Sequence, residues 1–526
     1  MDPAGLLFLA VAALVFAVPL ANRIGVPYPV LLTVVGILAA LAPGFPEITL
    51  NPDLILPVLL PPLLYAAAQR TSWAQLRAQW RSILVLAVAL VVVSALAVGA
   101  LLTALLPQVP WAIAFAVGAA TAPPDPVAAT AVARQIGLPH RIVAVIEGEG
   151  LVNDATALTL YNVALTAAAA GGAISWYGIA GRFVFGGVGG VAVGLLVAWL
   201  AAKVLAPLTD PMLQGAFTVA LPYAAYLAAT ALGASGVLAV LVAGLGLRRV
   251  SYRIFDPESR LAGRAFWETA DLLLTAVAFI IVGLELRPIL RGAGHDLGRQ
   301  LGIAAAVCGV LVAVRMAWLI VAGLLARRLR GRTSAAPAAG RRSAPVPATW
   351  REGVVVGWAG MRGVVTVAAA LGLPSNTPAR GALLLVAFVT VAGTLILPGL
   401  TLAPVVRRLG LGGTDHDAGV RDVAVRVMGA VLIRVDELYS DGVLDEAGAR
   451  RWRNRCTGML VALSPGAEND PRLADVHAAQ RDRLAVNTEL LGAAQQEALR
   501  LRRDDRIDPA AVDQVLRDLD RRLLQA

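Results

Sequence analysis

Apolar stretches of bilayer-crossing length, about 17 to 25 residues each, follow one another from residue 4 to residue 406 with short polar breaks between them. In hydrocarbon no water meets the backbone N–H and C=O groups, so such stretches must satisfy those groups internally and fold as helices. Thirteen can be read: 4–22, 28–43, 51–69, 82–107, 111–135, 142–171, 178–207, 212–231, 234–248, 265–287, 298–327, 352–373 and 380–406. Composition agrees, since 58% of the 526 residues are hydrophobic and the mean hydropathy is +0.72. An ordinary soluble domain is about half apolar and a quarter charged. The chain is therefore expected to be an all-α polytopic membrane protein. Its start, MDPAGLLFLAVAALVF, lacks the positive region and cleavage site of a signal peptide and reads as a retained first helix.

Net charge is +10, carried almost wholly by arginine, with Lys203 the only lysine. These arginines are dispersed over loops and tail rather than gathered in one patch, so no nucleic-acid partner is expected. Their placement sets an orientation. With the N-terminus outside, the inner loops collect Arg23, Arg70, Arg77, Arg81, Arg134, Arg141, Lys203, Arg248, Arg249, Arg253, Arg260, Arg264, the run from Arg327 to Arg351, Arg407 and Arg408. Only Arg182, Arg287, Arg291, Arg299 and Arg380 fall outside, the asymmetry of the positive-inside rule. The two cysteines, Cys308 and Cys456, imply no disulfide framework. None of His140, His295, His416 and His477 lies in a span, so neither a metal cluster nor another cofactor is expected.

Residues 331–348, GRTSAAPAAGRRSAPVPA, read as a low-complexity cytoplasmic linker. Past residue 410 the composition turns soluble, and DVAVRVMGAVLIRVDELYSDG and QRDRLAVNTELLGAAQQEALRLRRDDR space their apolar residues as helices do. The expected division is a membrane domain over 1–410 and a cytoplasmic helical tail over 411–526.

Charged side chains cost roughly 2.5 to 3.5 kcal/mol at mid-bilayer, so those retained there point to function. In GAATAPPDPVAATAV, Pro123, Pro124 and Pro126 surround Asp125. Proline removes a backbone donor and clashes with the preceding turn, so the fifth span is expected to break there and leave free carbonyls beside a carboxylate. The sixth span carries Glu147, Glu149, Asn153 and Asp154. Glu149 and Asn153 lie one turn apart on one face, and Glu147 and Asp154 two turns apart on another. Glu147 reads equally well as a headgroup-level residue; Asp154 is too deep for that. The eleventh span holds a lone Arg315, which needs an acid at its depth, Glu149 being the first candidate. In the twelfth, Gly360 and Gly363 flank Met361 and Arg362, a composition open to unwinding. Breaks in spans 5 and 12, seven helices apart, fit two inverted six-helix repeats whose broken helices cross, the plan of a secondary transporter. Pro61 and Pro62 read as a kink, and Glu268, Asp271 and Glu285 as interfacial residues.

Taken together and in order, LPP in span 3, Asp125-Pro-Val, the Glu-x-x-x-Asn-Asp of Glu149 to Asp154, Arg315 and the Gly-x-Arg-Gly of Gly360 to Gly363 resemble the monovalent cation/proton antiporter family, which includes bacterial NhaP-type antiporters and sodium/proton exchangers. The resemblance covers residues 4–408. It implies that Asp154 carries the cation and the proton by turns, with Asn153 the neutral neighbour of electroneutral members and Asp125 a second site carboxylate. It further implies that Glu149 pairs with Arg315, that Arg362 balances charge at the span 12 break, and that the chain is a homodimer in the plasma membrane. The transported ions would be sodium, with lithium or potassium as alternatives, and protons. Gly150 stands where the family often has serine; Thr121, Thr156 or backbone carbonyls are the replacements for that hydroxyl. A cation channel would use the same polar residues without proton coupling. An aspartyl dyad of Asp125 and Asp154, the enzymatic alternative, leaves the prolines, Gly360 to Gly363 and Arg315 without a purpose.

Overall fold

A computed structural model describes residues 3–43, 45, 52–71, 73–170, 176–292, 296–330, 347–411 and 416–462. His295, His477, the linker over 331–346 and the second tail segment lie outside the described residues. The described chain is helical throughout, and it divides into Met1–Thr414 and Asp415–Ala526.

In the first unit the apolar stretches become α1 (Pro3–Ile24), α2 (Tyr28–Leu41) and α3 (Pro52–Arg70), then α4 (Trp73–Leu84), which runs through a π-helical turn at Val85–Leu90 into α5 (Val91–Leu105). The fifth stretch is two half-helices, α6 (Trp111–Thr121) and α7 (Pro126–Gln135). There follow α8 (His140–Ala169), α9 (Trp176–Leu205), α10 (Pro211–Ala231), α11 (Gly236–Ile254), α12 (Pro257–Leu284), the short α13 (Leu286–Gly292) and α14 (Leu297–Arg330). The twelfth stretch is again split, into α15 (Trp350–Trp358) and α16 (Val364–Leu371), before α17 (Arg380–Leu409).

Seven helical stretches among the described residues are long and apolar enough to cross a membrane by themselves: Gly5–Ile24, Leu76–Leu105, Gly181–Leu205, Pro211–Ala231, Pro257–Gly292, Leu297–Leu325 and Arg380–Leu409. The other six sequence stretches are short (α2), proline-rich (α3), broken (α6 with α7, α15 with α16) or charged (α8, α11). Buried Glu149 and Asn153 belong to one of these six and Arg362 to the break of another, while the apolar α12 and α14 carry Asp271 and Arg315 inward. In the broken helices, neighbouring helices supply the missing packing and hydrogen bonds.

Two features place the site. The core formed by Val132, Ile142, Phe279, Leu319, Val355, Met361 and Leu402 joins α7, α8, α12, α14, α15 and α17 into one packed body. A second cluster, around Val98, Val117, Tyr161, Leu311 and Leu383, holds the other ends of α5, α6, α8, α14 and α17. Both broken helices are therefore surrounded by continuous ones. Arg141, at the start of α8, forms an ion pair with Glu352 at the start of α15, and the buried Glu352 also accepts from the Ala348 N–H at 2.8 Å.

The second unit begins with α18 (His416–Ser440), turns through Gly442 at φ +72°, and returns as α19 (Glu446–Ala462). Asp445 caps α19 by accepting from the Gly448 N–H at 2.7 Å, and Arg453 ties the two helices through Asp436 at 2.6 Å.

Candidate functional site

The three prolines act as their chemistry requires. Pro123, Pro124 and Pro126 have no N–H to offer, so α6 stops at Thr121, α7 starts at Pro126, and Ala122 to Asp125 run without helical hydrogen bonds. Ala359 to Gly363 form the matching break between α15 and α16. The two breaks complete one another. The Asp125 N–H, which in an unbroken helix would bond Thr121, instead donates to the Met361 carbonyl at 2.5 Å. The Thr121 carbonyl so released accepts from Arg362 Nε at 3.4 Å. Gly363 permits the approach, because a Cβ there would land on the Asp125 carboxyl group.

Asp125 is half-buried, and its Oδ1 accepts from the Val127 N–H at 2.8 Å, capping the first turn of α7. Oδ2 is left toward Gly363. Asn153, on α8, is fully buried; its Nδ2 donates to the Pro124 carbonyl at 2.8 Å, and its Oδ1 has no partner among the described residues. Asn153 thereby takes one of the carbonyls that the prolines set free. Its neighbour Asp154 is half-buried and within electrostatic reach of Asp125. The Thr121 hydroxyl, a candidate ligand in the sequence, donates back to Val117 at 2.9 Å and Gly118 at 3.2 Å, as threonines in helices commonly do. Thr156 does the same toward Val152. The place of the family serine is filled as well: a Cβ on Gly150 would overlap the ring of Pro126.

Two buried cations flank the crossing. Arg315, 3% exposed, donates through both terminal nitrogens to the two oxygens of Glu149, at 2.5 and 2.8 Å, and to the Val356 carbonyl at 3.2 Å. Glu149 is 1% exposed, so this is a bidentate pair removed from solvent. Arg362, 2% exposed, is held by carbonyls: Gly360 at 2.6 Å and Thr121. Its backbone N–H reaches Thr394 Oγ1 at 3.3 Å, and Thr394 in turn donates to Thr390.

Asp154 occupies α8 between two cavities. Toward the start of the helix, Glu147 and Leu151 line a cavity of about 240 Å³ together with Tyr28, Arg70, Thr130 and Asp271. Toward its end, Leu158, Tyr161 and Asn162 line one of about 610 Å³ that Arg182 also borders. Glu147 is half-buried and shares the wall of the smaller cavity with Arg70 and Asp271. Asp271 departs from its expected interfacial setting: it is 4% exposed and ion-paired with Arg70 of α3. Glu285 is also buried, at 5%. Asp271 lies midway along α12 and Glu285 is its C-cap, and sequence position alone could not show that neighbouring helices, not lipid headgroups, surround them. Spacing could not reveal Arg70, Glu352 or Thr394 either, since their partners lie on distant helices.

A helical bundle with two broken helices crossing beside intramembrane carboxylates is the architecture of a secondary transporter. The sodium/hydrogen exchanger transmembrane family model matches residues 9–408, and the chain belongs to that family. It is 34% identical over 406 residues to an uncharacterised Na+/H+ exchanger of Mycobacterium tuberculosis, covering 76% of this chain and 73% of the relative. It is 30% identical over 362 residues to the Na+/H+ antiporter NhaH of Halobacillus aidingensis, covering 68% and 83%. Its fold is similar to that of the sodium proton antiporter MjNhaP1 of Methanocaldococcus jannaschii, with a TM-score of 0.59 at 17% identity over 77% of this chain and 98% of that one.

Proposed function

We propose that this chain exchanges sodium for protons across the cytoplasmic membrane, one for one, with Asp154 binding the cation and the proton in turn. The observation that carries the reading is the position of Asp154: between two cavities on α8, within electrostatic reach of Asp125 and adjacent to Asn153, which holds the break in place.

Sodium is a hard cation and takes oxygen ligands, usually carboxylates, carbonyls and water in combination. The crossing supplies carboxylate oxygens from Asp154 and Asp125 and carbonyls that the prolines leave outside helical bonding. A proton on Asp154 competes with the cation for the same oxygens, so one site serves both. Movement across the bilayer is favourable only when the carboxylate is neutralised, by ion or by proton, because an uncompensated charge pays the desolvation of the membrane interior. Asn153 is uncharged, so each turnover moves one positive charge each way. Glu149 neutralises Arg315, and Arg362, held by the Gly360 and Thr121 carbonyls, adds a positive charge beside the two site carboxylates. Thirteen spans, twelve of them in two inverted six-helix repeats, the N-terminus outside, the tail in the cytoplasm, and a homodimer belong to this proposal.

The test is exchange in reconstituted vesicles, with sodium, lithium or potassium gradients driving a change in internal pH. Asp154→Asn is expected to abolish it while the thermal midpoint of the purified protein holds. Surviving exchange would remove Asp154 from the mechanism, and a rate that follows an imposed membrane potential would overturn the one-for-one stoichiometry.

A further inference from the structure

A third cavity, a chamber of about 270 Å³, lies between α3, α10, α11 and α12, apart from the crossing. Four arginines, Arg70, Arg248, Arg260 and Arg264, and one acid, Glu268, contribute to its wall. Arg70 is already paired with Asp271, and Arg264 with Glu268 at 2.8 Å on an exposed face. Arg248 and Arg260 have no carboxylate partner among the described residues. Both stack on Tyr252, at 5.8 and 5.2 Å from its ring centre, and Arg260 spends one N–H on the Phe255 carbonyl.

The wall also contains polar atoms that protein folding leaves unmet. Gln214 is 2% exposed; its Nε2 donates to the Leu208 carbonyl, while its Oε1 has no partner among the described residues. Ser259, 8% exposed, has a hydroxyl in the same condition. Buried polar atoms are normally paired, and each exception calls for an explanation. The positive-inside rule accounts for arginines in this region but not for a chamber, nor for buried unpartnered polar groups in its wall.

We propose that this chamber is a binding site for a phosphate-bearing anion that also carries a hydroxyl. The guanidinium groups of Arg248 and Arg260 match phosphate oxygens by charge and by paired donors. The Ser259 hydroxyl and Gln214 Oε1, which lie just behind the chamber surface, turn toward the ligand to donate to its phosphate and to accept from its hydroxyl. A glycerol phosphate group has this chemistry, whether as the headgroup of phosphatidylglycerol or as a free phosphorylated polyol. The site does not depend on the exchange mechanism, since none of Gln214, Arg248, Ser259 and Arg260 belongs to the crossing.

The experiment is thermal unfolding of the purified full chain, with glycerol 3-phosphate added in detergent in one arm. In the other, the chain is in phosphatidylcholine vesicles with or without phosphatidylglycerol. A concentration-dependent rise in midpoint is expected in at least one arm; the first identifies a free ligand and the second a lipid. Arg248→Gln and Arg260→Gln are each expected to weaken the effect about tenfold or more, the loss of a charge-assisted contact. Arg249→Gln removes the same charge one residue away, on an exposed position outside the chamber wall, and is expected to leave the effect unchanged. Gly263→Leu gives a second route, because a Cβ at Gly263 meets nothing within 4 Å and the larger side chain would fill the chamber. No rise in either arm, an equal loss in Arg249→Gln, or an undiminished rise in Gly263→Leu would overturn the site.

Discussion

The Asp125 N–H donates to the Met361 carbonyl at 2.5 Å, joining the interruption of one helix to that of another 236 residues later (361 − 125). Each break leaves backbone groups that cannot be abandoned in a membrane interior, where an unsatisfied group costs several kcal/mol. The pairing turns two local defects into one stable structure with a carboxylate beside it. The contact also sets how closely the strands of the crossing approach, and this gives the first prediction.

Gly363→Ala would place a methyl group on the Asp125 carboxyl, so either the carboxyl or the break must move. Overpacking of this kind costs about 1–3 kcal/mol. We expect a lowered thermal midpoint and sodium-driven proton movement reduced well below wild type in vesicles. Wild-type exchange by Gly363→Ala would mean that the close approach is incidental to transport.

Breaking the Glu149–Arg315 pair on one side strands a buried charge. Glu149→Leu or Arg315→Met alone should each destabilise by about 3–5 kcal/mol, whereas the two together remove both charges and should recover most of that loss. Unfolding of the two single variants and the double one checks the coupling. Additive losses would show that the two residues act separately.

Serine at position 150 is expected to harm this protein. Its Cβ would strike the Pro126 ring, so Gly150→Ser should lower both the thermal midpoint and the exchange rate. Combining it with Pro126→Ala makes room and should restore part of the stability. If Gly150→Ser alone is stable and gains sodium affinity, the packing argument fails.

Asp271→Asn would leave Arg70 without its ion pair in the chamber shared with Glu147. An unpaired cation there repels sodium on its way to the crossing. The expected outcome is a higher apparent KM for sodium with little change in maximal rate, measured in vesicles loaded so that this face meets the varied cation. An unchanged KM would show that cations do not pass through this chamber.

Helices and their interruptions were legible from local chemistry alone. Apolar length demands helix, prolines at 123, 124 and 126 forbid it, and Gly360 with Gly363 permits its loss, all without reference to distant residues. A solitary arginine at mid-span declared that it needed an acid, and Glu149 could be singled out because few acids reach that depth. What tertiary packing alone decided is who answers each remaining group. Asn153 takes the Pro124 carbonyl, Arg362 is satisfied by carbonyls, and Asp271 finds Arg70 where lipid headgroups were expected. Gly150, which in the sequence looked like a lost hydroxyl, is the space that Pro126 occupies. The division has one physical cause. Whether a backbone can be helical is settled within a few residues, but the partners of a buried polar group lie on whichever helices pack against it, and in this chain those are often more than a hundred residues away.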